Sequence, residues 1–170
     1  CTLALSSPGG ASHMTTSIEH EHKAPATQRS VLALVGWVAL CYSAALSGIV
    51  FMPGEWYAGL NKPAWNPPNW IFGPVWTTLY ILMGVSAWLV WQRANSRPAL
   101  SMFLVQLALN ALWTPVFFGL KQPGAAFAVI LAMWSAIAAT IALFWNRSRT
   151  GAALLVPYLA WVSFATALNF

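Results

Sequence analysis

The sequence has very little charge: it contains no aspartate, only three glutamates, and 6% charged residues among 170. A soluble domain carries about 25% charged residues, enough to cover its water-exposed surface. Here 59% of the residues are hydrophobic, so a water-soluble domain is excluded. We therefore predict an integral membrane protein. The two cysteines, Cys1 and Cys41, give no sign of a structural disulfide.

The few groups that could perform acid–base or metal chemistry lie outside the long apolar runs. These groups are Glu19, Glu21, Glu55, His13, His20 and His22. Paired carboxylates, a Ser-His-Asp triad and a metal site are therefore excluded from the membrane region, and we expect no obligate cofactor. The basic residues are scattered singly, without the stripe that nucleic acid requires, so we expect no nucleic-acid partner.

Five apolar runs follow one another along the chain, at about 31–52, 71–92, 99–120, 124–145 and 151–170. Each has roughly the 20 residues that a helix needs to cross the hydrocarbon core. We therefore predict an all-α bundle of five transmembrane helices over residues 29–170. Before it, we expect residues 1–13 to be an expression-tag remnant and residues 14–28 a disordered N-terminal tail.

Six bases fall on the side of the N-terminus and two on the opposite side. The six are Lys23, Arg29, Arg93, Arg97, Arg147 and Arg149, and the two are Lys62 and Lys121. Because cytoplasmic loops carry an excess of Lys and Arg, this split predicts a multi-pass protein of the cell membrane with a cytoplasmic N-terminus. An outer-membrane location, the alternative, would remove the basis of this orientation.

The most distinctive stretch is residues 56–76, WYAGLNKPAWNPPNWIFGPVW, which holds four tryptophans and four prolines. Its prolines forbid a continuous helix and favour a stiff, extended path. Its indole rings supply broad flat faces, each with one N–H donor. We interpret this first loop as the roof of a binding site for a flat apolar ligand.

Three tryptophans inside the runs are placed to meet below that loop. Helical rise puts Trp76, Trp113 and Trp161 roughly 8, 10 and 14 Å from the loop end of their spans. An aromatic belt at the membrane interface, the alternative for tryptophan, does not account for rings at this depth. We therefore expect the three rings to share one pocket. The alternative is that each ring packs independently in the core.

Polar side chains are rare within the runs, and two of them share a helical face with Trp113. Gln106, Asn110 and Trp113 are spaced four and three residues apart. Because amides are costly in hydrocarbon, Gln106 and Asn110 either hydrogen-bond to neighbouring helices or orient the polar edge of a ligand. Lys62 in the loop either pairs with a ligand carboxylate or meets water and lipid phosphate.

Small residues recur at the spacing of helix contacts, at Ala44, Gly48, Ala132, Ala136 and Thr140. Such residues let two helices approach closely, either inside one bundle or across a homodimer. Pro115 and Pro157 lie inside spans and predict local kinks, which make room for ligands.

Three segments closely resemble one known family: WYAGLNKPAWNPPNWIFGPVWTTLYILMG, QLALNALWTPVFFG and PYLAWVSFATALN. They are similar to the tryptophan-rich sensory proteins, the bacterial relatives of the mitochondrial translocator protein, or peripheral benzodiazepine receptor. The resemblance covers all five runs, from about residue 31 to residue 170. It implies a five-helix membrane bundle, often dimeric, with the first loop capping a ligand cavity.

The resemblance also implies the ligands and the cavity residues. The ligands of the family include protoporphyrin IX and haem, sterols in animal members, and synthetic isoquinoline carboxamides and benzodiazepines. By motif, the ligand-binding residues would be Tyr57, Trp65, Trp70, Trp76, Asn110, Trp113, Trp161 and Ala165. Nothing basic follows Tyr158, so the sterol-recognition pattern of the animal proteins is incomplete here.

We therefore expect a tetrapyrrole-binding membrane sensor or regulator whose partners are the tetrapyrrole, membrane lipid and a second copy of the chain. Two alternatives stay open. One is transport of a porphyrin, lipid or sterol. The other is Trp-dependent photo-oxidative degradation of a bound porphyrin, an enzymatic activity that needs none of the missing acid–base groups.

Overall fold

The computed structural model describes residues 26–51, 54–59 and 66–169. Five helices in these ranges are long and apolar enough to cross a membrane, and no strand occurs among the described residues. The protein is therefore an integral, multi-pass membrane protein. The expectations for residues 1–25, and those for Lys62 and Trp65, lie outside the described residues.

The helices follow one another with short connections, and the fifth span is made of two pieces. The α-helices are α1 (Ala26–Val50), α2 (Glu55–Ala58), α3 (Phe72–Trp91), α4 (Arg97–Thr114), α5 (Pro123–Trp145), α6 (Arg149–Leu154) and α7 (Val156–Asn169). A 3₁₀ turn, Asn69–Ile71, precedes α3, and a π-helical segment, Pro115–Gly119, follows α4. Helices prevail because hydrocarbon offers no partners to backbone N–H and C=O groups, which must pair within their own segment.

The five spans begin and end within four residues of the predicted runs. They are Thr27–Val50, Asn69–Trp91, Arg97–Gly119, Pro123–Trp145 and Arg149–Leu168. The largest difference is at the first span, because α1 begins at Ala26 and takes in residues 26–28, which were predicted as tail. Gln and Arg are good helix formers, so the helix continues past the apolar run.

Both prolines inside spans interrupt regular helix, as predicted. Pro115 opens the π-helical segment, in which Leu120 N–H donates to Pro115 O at 2.9 Å. Pro157 has no N–H to offer to the carbonyl of Ala153, so the helix is broken just before it, at Leu155. There Leu155 N–H donates to Ala152 O at 3.1 Å, a tighter turn than that of an α-helix.

The spans pack as a closed ring rather than in chain order. α1 packs against α3, α3 against α6 and α7, these against α5, α5 against α4, and α4 against α1. α1 and α3 approach each other closely, because a Cβ on Gly84 would lie 2.6 Å from Val38 Cα. Of the small residues noted in the sequence, Ala44, Ala136 and Thr140 are buried within this bundle, whereas Ala132 is exposed.

Candidate functional site

A cavity of about 960 Å³ opens between the helices at the end of the bundle where α1, α4 and α7 finish and α3 and α5 begin. Every one of these helices contributes to its wall, together with α2 and the π-helical segment. The cavity is therefore enclosed by all five spans and bordered by the first loop, the position that the sequence predicted for a shared pocket.

Six of the eight predicted site residues line this cavity: Tyr57, Trp76, Asn110, Trp113, Trp161 and Ala165. They come from the loop and from three of the five spans, so the structure brings together residues that are far apart in the chain. Trp65, a seventh, lies outside the described residues.

Trp70 is the one described site residue that the structure does not bring to the cavity. Its side chain is 73% exposed and is not part of the lining. The cause is the 3₁₀ turn at Asn69–Ile71, because a 3₁₀ helix places residues i and i+3 on one side. Asn69 and Phe72 share that side and face the cavity, so Trp70 points elsewhere.

The three tryptophans predicted to converge are each held by a second ring. Trp76 stacks on Tyr80, with centroids 5.4 Å apart and planes 29° from parallel. Trp113 stacks on Phe117 at 4.9 Å. Trp161 meets the ring of Phe72 edge-on at 5.7 Å. Such pairs favour fixed geometries, so the wall is a set of oriented flat faces.

A hydrogen-bonded network on four helices lies beside the deepest part of the wall. Tyr80 Oη donates to Asn110 Oδ1 at 3.1 Å, and Asn110 Nδ2 donates to Tyr158 Oη at 2.9 Å. Tyr158 Oη in turn donates to Met133 Sδ at 3.4 Å on α5. Asn110 therefore does bond to neighbouring helices, through tyrosines rather than through backbone freed by proline. Its amide keeps one N–H and one acceptor site.

Gln106, one helical turn from Asn110, is not part of the cavity lining. Its side chain is 1% exposed, and neither its Oε1 nor its Nε2 has a hydrogen-bond partner among the described residues. The suggestion that Gln106 contacts a ligand edge therefore finds no support in the geometry. The indole N–H of Trp113, a cavity residue, is buried and unpaired in the same way.

The loop helix α2 is attached to the bundle by aromatic contacts with the π-helical segment. Trp56 meets Phe117 edge-on at 5.7 Å, and Tyr57 meets Phe118 at 5.4 Å. Burial raises the pKa of the Tyr57 phenol above its ordinary value, an effect opposed by a hydrogen bond with Asn66. Tyr57 therefore stays neutral at physiological pH.

Sequence reasoning missed Tyr80, Phe117 and Phe118 as cavity residues. Two signals could have found them. Tyr80 is one helical turn after Trp76 on the same face. Phe117 and Phe118 form an aromatic pair just after Pro115, at the end of a span where a kink was expected.

The chemistry available in the cavity is burial, stacking and neutral hydrogen bonding. The described residues of its wall include no charged side chain. Over the described ranges, the His, Cys, Asp and Glu residues form no group that could hold a metal ion. An apolar, flat ligand with a few polar atoms at its edge fits these walls.

Comparison with known proteins shows which proteins this chain resembles. A model of the TspO/MBR family matches residues 27–170. The tryptophan-rich sensory protein of Cereibacter sphaeroides is 47% identical over 134 residues, which cover 79% of this chain and 85% of the relative. The translocator protein of Homo sapiens is 45% identical over 131 residues, 72% and 78% of the two chains. The tryptophan-rich protein TspO of Chlorobaculum tepidum is 40% identical over 149 residues, 84% and 94%.

Proposed function

Because this chain belongs to the TspO/MBR family, we propose that it is a membrane sensor or regulator that binds a tetrapyrrole such as protoporphyrin IX or haem. The observation that carries the proposal is the aromatic cavity of about 960 Å³. Sites for small molecules usually measure about 300–1,000 Å³, are mostly apolar and contain a few placed polar groups. This cavity is at the large end of that range, as a macrocycle requires.

The macrocycle would bind by its faces. Trp76, Trp113 and Trp161 present ring surfaces from three different spans, each supported by a neighbouring ring. A stacked aromatic pair contributes about 0.5–1.5 kcal/mol beyond the burial of its area. The remaining N–H and acceptor site of Asn110 would meet a polar atom at the edge of the ligand.

The carboxylates of a porphyrin would lie at the mouth of the cavity, because a charge without a partner is costly to bury among neutral side chains. Lys121 is exposed at this end of the bundle, two residues before the cavity residue Pro123. Lys62, in the loop, is the second candidate partner by sequence. The carboxamide carbonyl of isoquinoline ligands would instead reach the amide of Asn110.

Binding of a sterol through the incomplete recognition pattern around Tyr158 has less support. The Tyr158 side chain is fully buried and hydrogen-bonded inside the bundle. A sterol approaching from the lipid would not reach its hydroxyl.

The proposal is tested by titrating the purified protein with protoporphyrin IX and following tryptophan quenching. We expect Trp76→Phe and Trp161→Phe each to weaken binding about two- to tenfold. Trp145→Phe is the matched control, because Trp145 is exposed at the opposite end of the bundle and should bind like the parent. Equal affinity in all four proteins would refute this pocket.

The two alternatives from the sequence stay predictions with tests of their own. A carrier would move porphyrin into sealed liposomes faster than protein-free liposomes take it up. Photo-oxidation would bleach the porphyrin absorption band under light faster in the parent than in Trp76→Phe.

The orientation and oligomer are also proposals. Five arginines of the described chain lie at the end opposite the cavity: Arg29, Arg93, Arg97, Arg147 and Arg149. Their position supports a cytoplasmic location for that end in a bacterial cell membrane, and a homodimer remains the expected assembly.

A further inference from the structure

The outer surface of the bundle carries a second concavity, between α1 and α3 and away from the ligand cavity. It is a shallow groove of about 270 Å³, lined by Ala33, Gly36, Trp37, Leu40 and Trp91. A Cβ on Gly36 would meet nothing within 4 Å, so open space lies above the groove floor. Trp37 is fixed by an edge-on contact with Phe103 at 6.0 Å. The groove is apolar, and α1 is the least buried of the five spans.

A basic pair stands at one end of this groove. Arg29 is on the same face of α1 as Ala33, Gly36 and Leu40, because spacings of four, seven and eleven residues return to one side of a helix. Arg93 follows the groove residue Trp91 by two positions. Both arginines are exposed.

A hydrogen bond fixes the relative depth of the two helices at this end. Trp88 Nε1 on α3 donates to the carbonyl oxygen of Ser30, the residue after Arg29, at 2.9 Å. The start of α1 is thereby held beside the last turn of α3, which leads directly to Arg93. Arg29 and Arg93 therefore lie at about the same level of the bundle, close to that of Trp88 and Trp91.

Within the part of the chain that the structure describes, the charge at this level is of one sign. Among the described residues the one acid is Glu55, in the loop helix α2 at the cavity end. An anionic group above the groove would therefore meet two arginines without competition from a carboxylate of the described chain. Arginine suits a phosphate because its planar fork donates two parallel hydrogen bonds.

The length of the groove face fits one leaflet. Arg29 and Leu40 are eleven residues apart, or roughly 16 Å along the helix. Half of a hydrocarbon core of about 30 Å is roughly 15 Å. An acyl chain lying along Ala33, Gly36 and Leu40 would thus reach from the headgroup level to the bilayer centre.

From these observations we propose that the α1–α3 groove binds one anionic phospholipid, with an acyl chain along α1 and the phosphate between Arg29 and Arg93. A second copy of the chain is the poorer occupant of this surface. A two-fold symmetric contact would bring the same patch of both copies together, so the exposed Arg29 and Arg93 of both copies would be gathered at one interface. The lipid site is separate from the tetrapyrrole cavity and does not depend on it.

The test is native mass spectrometry of the detergent-solubilised full chain, titrated with phosphatidylglycerol or with phosphatidylcholine of the same acyl chains. We expect the unsubstituted protein to bind phosphatidylglycerol more tightly than phosphatidylcholine. Arg29→Gln or Arg93→Gln should each lower that preference about fivefold, and the double variant about thirtyfold. Arg149→Gln is the control, because it removes an exposed arginine of the same end from α6, which contributes nothing to the groove.

Gly36→Leu, which fills the groove, should weaken the binding of both lipids by a similar factor. Protoporphyrin titration of each variant reports on its fold and should be unchanged. Equal binding of the two lipids by the parent would overturn the proposal, as would equal effects of the Arg29/Arg93 and Arg149 variants. If Gly36→Leu changes the dimer fraction while lipid binding stays constant, the surface is an interface between copies, and the lipid site is wrong.

Discussion

The two ends of the helix bundle are both apolar, yet the helices pack tightly at one end and stand apart at the other. At the arginine end the helices meet through small residues: Ser86 Oγ donates to Gly151 O at 2.6 Å, and a Cβ on Gly151 would lie 3.2 Å from Val90 Cγ2. At the cavity end, bulky rings and irregular turns keep the helices apart. Hydrophobicity therefore places both ends in the membrane, while side-chain size and helix regularity decide which end closes.

Two glycines of α3, Gly84 in the half nearer the arginines and Gly73 at the cavity end, give the strongest test of this difference. Gly84→Ala should lower the free energy of unfolding by about 1–3 kcal/mol, because the new methyl would lie 2.6 Å from the backbone of Val38. Gly73→Ala, at the cavity end, adds the same methyl where nothing lies within 4 Å. Thermal unfolding in detergent compares the two variants. An equal loss of stability in both would contradict the difference in packing between the two regions.

Filling the open end should remove binding while leaving the fold intact. Ala165→Phe places a ring in the cavity wall, and we expect the affinity for protoporphyrin IX to fall at least about tenfold, or ~1.4 kcal/mol. Ala132→Phe is the control, since Ala132 is exposed on the outside of α5. Fluorescence titration measures both. A normal affinity for the Ala165 variant would mean that the ligand binds elsewhere.

Gln106 lies between the two ends and should be a weak point of the packing. Its amide is buried without a partner among the described residues, so Gln106→Met, which keeps the shape and removes the amide, should stabilise the protein by about 1 kcal/mol. The melting temperature in detergent reports this change. A lower melting temperature would show that the amide has a partner in the membrane, for which a buried water is the natural choice.

The smallest expected effect is a pH dependence of the attachment of α2. The folded-state pKa of Tyr57 is raised by burial, so the stabilisation from its neutral phenol is complete below the unfolded pKa of about 10. It is lost as the pH rises through the folded value. Thermal unfolding between pH 8 and 11 should therefore decline more steeply in the parent than in Tyr57→Phe. Identical pH profiles would show that Tyr57 does not hold the loop helix.

The sequence was sufficient to predict the five spans and six of the cavity residues, because run length and helical depth are read along the chain. It could not predict which way Trp70 and Gln106 point. In water, the polar face of a helix marks its outside; in a membrane the lipid is as apolar as the core, so that signal is lost. The ring order α1, α3, α6 and α7, α5, α4 is hidden for the same reason, as is the 3₁₀ turn that directs Trp70 outward.

The π-helical segment at Pro115–Gly119 has a consequence for how this wall tolerates insertions and deletions. The bond from Leu120 to Pro115 spans five residues instead of four, so the segment holds a residue that an α-helix would not accommodate in the same turn. Deleting Val116 alone would let the span rewind as α-helix and change the direction of the aromatic pair, while the residues after Leu120 would keep their orientation. Trp56 and Tyr57 would then lose their ring contacts with Phe117 and Phe118. The loop helix would no longer be attached to the bundle, although every aromatic residue was still present.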